Sequence, residues 1–207
     1  MKITVKTHQY AVILACVYIG LFAFTLVLNM AETYISGPLG TLNSLAIQII
    51  YISLFAYLGL LLAASDQPRA AVTSFWLYCA INILGIPTMF IQDLVQLRAY
   101  SLILGVISLA VYIFLIVKVF RLKHPIIAKY YRILAIMLGA LALLRIASPF
   151  ALNYIGEYFS MSLYSLGRYY TAIFSLLIPV TIIILLKRTT PLVSGYVEPA
   201  PAEEEYL

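Results

Sequence analysis

Charge is scarce in this chain. Asp, Glu, Lys and Arg make up 10% of its 207 residues, whereas 64% are hydrophobic and mean hydropathy is +1.02. A water-soluble domain cannot cover that composition with a polar surface, so the chain belongs in a bilayer. Histidine is almost missing too. His8 stands in the amino-terminal segment and His124 in a loop, neither deep in an apolar run. Nucleophilic catalysis lacks a base beside its nucleophile, and haem ligation by helix histidines lacks its ligands. No G-x-S-x-G, H-E-x-x-H or P-loop occurs, and no pair of carboxylates falls within one apolar run. The usual hydrolase, protease and nucleotide-binding signatures are missing, so the chain leans away from an enzyme without excluding one, and no cofactor is expected.

The two cysteines, Cys16 and Cys79, both lie inside apolar stretches. That excludes a disulfide framework, and neither has the His or Cys company of a metal site. Polar–apolar alternation is absent as well, which excludes a membrane β-barrel. The formal charge of +5 does not imply nucleic acid, because the bases flank apolar runs instead of forming a patch interleaved with aromatics.

Long apolar runs are what the sequence does have. They fall at 10–30, 41–64, 71–92, 99–119, 130–153 and 167–186. Each is long enough to cross a hydrocarbon core of about 30 Å as a helix, the only open structure that satisfies its own backbone there. The expected fold is an all-α integral membrane protein of six spans. The first run is longer than a signal-peptide core of roughly 7 to 15 residues and no A-x-A site follows it, so it reads as a retained span. Residues 1–188 form the membrane domain. Residues 189–207, ending "EPAPAEEEYL", read as a disordered Pro/Glu-rich tail.

Basic residues orient these spans. With the amino end cytoplasmic, Lys2, Lys6, Arg69, Lys118, Arg121, Lys123, Lys129, Arg132, Lys187 and Arg188 lie inside, and only Arg98, Arg145 and Arg168 lie toward the outside. Both termini are therefore expected in the cytoplasm, in a plasma or bacterial inner membrane. The run "KVFRLKHP" at 118–125 is placed to meet anionic lipid headgroups, although orienting the spans already accounts for it.

Two decapeptides, "YCAINILGIP" at 78–87 and "YTAIFSLLIP" at 170–179, share six residues in register. "LAI" recurs at 45–47 and 134–136, and Tyr10, Ile13, Leu14 and Phe24 match Tyr100, Ile103, Leu104 and Phe114. Three spans per half would place the halves in opposite orientation. A 3+3 inverted repeat is thus expected, with its third and sixth helices broken at Pro87 and Pro179 around a central site. Six spans in inverted halves resemble aquaporin-like channels in layout alone, since the paired N-P-A motifs are missing and no residue carries over.

At about 1.5 Å of helical rise per residue, Asn29, Asn43, Gln48, Asn82, Asp93 and Arg145 fall in the outer half of the membrane or at its edge. Glu32 and Glu157 lie at the same level, and Arg145 is expected to pair with Asp93 or Glu157. Gln48, Asn82, Asp93 and Arg145 are the candidate lining of an outward-facing polar cavity. Tyrosines at 154, 158, 164, 169 and 170 suit an interfacial belt as well as a binding surface. The leading expectation is a transporter or channel-like protein for a small solute, working by alternating access because the inner half is apolar. The alternative is a non-catalytic subunit or sensor that meets a protein partner, or a second copy, through its basic loop or acidic tail. A lipid-modifying enzyme ranks third.

Overall fold

The computed structural model describes residues 3–30, 37–91, 93–158 and 173–194, without the side chains at 29, 145, 146, 148–158, 192 and 194. These residues form α1 (Val5–Met30), α2 (Gly37–Ala64), α3 (Arg69–Gly85), a 3-10 turn (Ile86–Met89), α4 (Leu94–Val119), α5 (Pro125–Tyr158) and α6 (Leu177–Ser194). Six helical segments are long and apolar enough to cross a membrane. The expected all-helical class is therefore met among the described residues, and its six long apolar helices are compatible with a multi-pass membrane protein. Leu102, Ile103 and Val106 of α4 stand exposed, as lipid-facing side chains must.

The helices outrun the apolar windows. The first begins at Val5 and the last continues through Lys187 and Arg188 to Ser194, with Thr189 buried. Helix α6 thus covers the first residues of the tail expected at 189–207, and residues 195–207 of it lie outside the described residues.

His8 departs from its expected place in a free amino-terminal segment. It is buried in the second turn of α1, with Nδ1 2.8 Å from the Tyr57 hydroxyl and Nε2 2.7 Å from the Leu186 carbonyl. A carbonyl only accepts, so Nε2 carries a proton; in the neutral ring Nδ1 then accepts from Tyr57. One imidazole thereby ties the start of α1 to the ends of α2 and α6. A second clamp holds the same end of the bundle, where the Lys123 amide donates to Gln67 Oε1 at 3.1 Å and Arg132 Nη2 donates to the carbonyls of Phe120 and Leu122 at 3.0 and 3.4 Å. Lys118, Arg121, Lys123, Lys187 and Arg188 gather here, and this is called the basic end below.

Each helix packs on its neighbours in sequence, and α6 returns to α1, so the bundle is a ring closed in chain order. Close approach is built into it. A Cβ on Gly59 of α2 would stand 3.2 Å from Phe75 Cβ of α3. Leu54, Phe55, Leu58, Phe75, Tyr78 and Tyr131 fill the middle and are almost wholly buried. The Tyr131 hydroxyl reaches across to donate to the Leu58 carbonyl at 2.8 Å.

Helices α1 and α4 run in opposite directions, as the expected repeat of inverted topology requires. The two prolines sit differently. Pro87 is exposed in the turn that ends α3, whereas Pro179 is buried in the first turn of α6, just after a helical interruption at Leu176. Both mark helix breaks, but not equivalent ones. The matching decapeptides reflect the small alphabet of apolar helices.

Candidate polar cavity

The cavity begins with a missing hydrogen. Pro87 has no N–H, so the Ile83 carbonyl loses the donor that would continue α3. The Ile86 amide turns to Ile83 O instead, tightening the chain into the 3-10 turn. That leaves the carbonyl of Asn82 without its own i+4 donor, and Gln48 of α2 fills the vacancy, Nε2 to O at 3.2 Å. The next carbonyls are served by side chains as well. Tyr100 donates to Leu84 O at 2.6 Å and Thr88 to Gly85 O at 2.6 Å. A helix end that water would normally satisfy is thus satisfied by three neighbouring side chains.

Beside this end lies a cavity of about 430 Å³ between α2, α3, α4 and α5. Its polar lining comprises Gln48, Asn82, Thr88, Ser108 and Tyr112, set among apolar residues that include Ile81, Leu104, Leu109 and Ala142. Asn82 Nδ2 donates to the Tyr78 carbonyl at 2.8 Å. Both amide NH₂ groups therefore point at backbone carbonyls. This fixes their orientation and leaves Gln48 Oε1 and Asn82 Oδ1 without a donor among the described residues.

Tyrosines close the floor. The Tyr112 hydroxyl lies 3.4 Å from that of Tyr78, which also shares a hydrogen bond with Tyr51. Tyr78 packs on Phe55 with ring centroids 4.5 Å apart, and Phe75 meets Tyr131 edge-on at 5.4 Å. Between cavity and basic end, the ring is filled by this aromatic layer.

Of the expected site residues, the structure brings Gln48 and Asn82 together. Asp93 is elsewhere: exposed, it caps α4, with Oδ1 accepting from the amides of Val95 at 2.8 Å and Gln96 at 3.3 Å. The carboxylate expected to line the cavity is used as a helix cap. Arg145 lies on α5, three residues past Ala142, and its side chain and any pairing with Glu157 fall outside the described residues. Thr88, Ser108 and Tyr112 were not anticipated. A signal for two of them existed, since Gly105, Ser108 and Tyr112 recur at three- and four-residue spacing, the stripe that one helix face presents. Among the described residues no group of His, Cys, Asp or Glu is placed to hold a metal ion. No family model, curated protein or solved structure matches this chain.

Proposed function

We propose that this protein binds a small solute in the cavity beside the break in α3 and carries it across the membrane by alternating access. The observation that supports this is a discontinuous helix whose last carbonyls, held by side chains instead of a next turn, border a polar cavity inside an apolar bundle. Transporters place their substrate sites at such breaks. Passage then requires the aromatic layer of Phe55, Phe75, Tyr78 and Tyr131 to part. The distribution of basic residues supports cytoplasmic termini, so the cavity faces outward in a plasma or bacterial inner membrane.

A second reading, a sensor or non-catalytic subunit, is favoured by the same layer. Phe55, Phe75, Tyr78 and Tyr131 are almost wholly buried and block the way from the cavity to the basic end. In that reading the cavity takes a signal, and the basic loop or acidic tail meets a partner. Lipid chemistry gains little support, since the described lining offers no carboxylate, imidazole or amine.

A single cysteine separates the two. In a background of Cys16→Ser and Cys79→Ala, Ser108→Cys is exposed to a membrane-impermeant thiol reagent in sealed vesicles of each orientation. Transport predicts labelling from both faces, a sensor predicts labelling from one, and no labelling from either overturns the cavity as a binding site.

A further inference from the structure

The hydrogen-bonding inventory of the cavity is lopsided. Gln48 and Asn82 each spend one N–H on a backbone carbonyl, and Thr88 spends its only hydrogen on Gly85 O. What remains is two amide oxygens and one N–H of each amide, the lone pairs of Thr88, and the hydroxyls of Ser108 and Tyr112. The Ser108 hydroxyl has no partner among the described residues, although a helical serine ordinarily bonds a carbonyl of the preceding turn. Counting each group's capacity gives roughly two free lone pairs for every free hydrogen.

The backbone adds the same sign. Helix α3 runs from the basic end toward the cavity and stops there, so the cavity sees the negative pole of that helix and its terminal carbonyls. No described lining residue carries a formal charge, and the nearest described acid, Asp93, caps α4. Apolar contact comes from Ile81, Leu104 and Leu109.

We infer that the cavity selects hydrogen-bond donors and rejects anions, and that a small organic ammonium ion with a short apolar tail is the class it fits best. The ammonium offers three donors to the two amide oxygens and to Ser108, while the tail lies against the leucines. A carboxylate of equal size would face lone pairs with few hydrogens to meet them. A neutral polyol would satisfy the acceptors yet gain nothing from the helix end. This inference rests on the cavity being an accessible site, as proposed above.

The test uses the same Ser108→Cys chain, reconstituted at full length in nanodiscs. Rates of modification by a primary-ammonium-bearing (aminoethyl) and a sulfonate-bearing methanethiosulfonate of similar size are each divided by the rate at a reference cysteine, Gln96→Cys, at the exposed start of α4. The cationic reagent is expected to be favoured about fivefold, the scale of a single charge beside a helix end. n-Butylammonium should slow the reaction and butyrate should not. Gln48→Leu should weaken that protection. Equal normalised rates, protection by butyrate, or an anionic preference that Arg145→Gln reverses would each overturn the ligand class while leaving the site intact. Failure of both reagents at Ser108→Cys alone would instead overturn the cavity itself, and this inference with it.

Discussion

Gln48 Nε2 stands 3.2 Å from the backbone carbonyl of Asn82, one turn before Pro87, so a side chain of α2 replaces a backbone donor that proline displaced within α3. The two features that look costly in an apolar span, an amide and a proline, therefore compensate each other across a helix pair. Gln48→Leu should destabilise the protein by about 1–3 kcal/mol, the cost of a buried carbonyl left bare. Pro87→Ala restores an N–H for Ile83 O and releases the Ile86 amide to Asn82 O. In that background Gln48→Leu should cost much less. A double-mutant cycle of thermal stabilities in nanodiscs measures the coupling, and additive effects would show that Gln48 does not serve the break.

Much of this arrangement was legible in the sequence. Six apolar runs gave the spans, and Gln48 and Asn82 stood out because amides are expensive in hydrocarbon. Asp93 misled because depth along a chain does not say which way a side chain is used. A carboxylate one residue before an apolar run is as good a helix cap as a cavity ligand, and the amides of Val95 and Gln96 claimed it. The in-register identities say less, because apolar helices draw on few residue types and shared letters alone do not establish a repeat. His8 was hidden because nothing local announces a contact with Leu186, 178 residues away.

That contact carries its own prediction. His8 joins three helices through two hydrogen bonds, to Tyr57 and to the Leu186 carbonyl. His8→Leu strips both and should lower stability by about 1–3 kcal/mol, whereas Tyr57→Phe removes one neutral bond and should cost about 0.5–1.5 kcal/mol. Thermal denaturation of the two variants ranks them. Equal stability of His8→Leu and the parent would mean that the imidazole is not needed to close α6 against α1.

Packing at the α2–α3 contact predicts a steric asymmetry between glycines. A Cβ on Gly59 would press on Phe75 Cβ at 3.2 Å, whereas one on Gly20 meets nothing within 4 Å. Gly59→Val should destabilise by about 1–3 kcal/mol through overpacking, and Gly20→Val should change little. Melting temperatures of the pair check this, and similar values would indicate that α2 and α3 have room to separate.

Tyr78 decides whether the cavity ends where the aromatic layer begins. It is 1% exposed, its hydroxyl lies among those of Tyr51 and Tyr112, and its ring packs on Phe55. Tyr78→Phe keeps the ring and loses only the hydroxyl, so the layer should stay shut. Tyr78→Leu keeps enough apolar volume to fold but removes the flat ring that seals the floor. In the Ser108→Cys background, labelling from the basic-end face should then rise about tenfold for Tyr78→Leu, on the order of a 1.4 kcal/mol easing of the closed layer. Tyr78→Phe should label at the parent rate. If both variants accelerate labelling equally, the hydroxyl cluster is the seal and the ring is not. If neither does, the barrier lies deeper, at Phe75 and Tyr131, where the next aromatic contact crosses the ring.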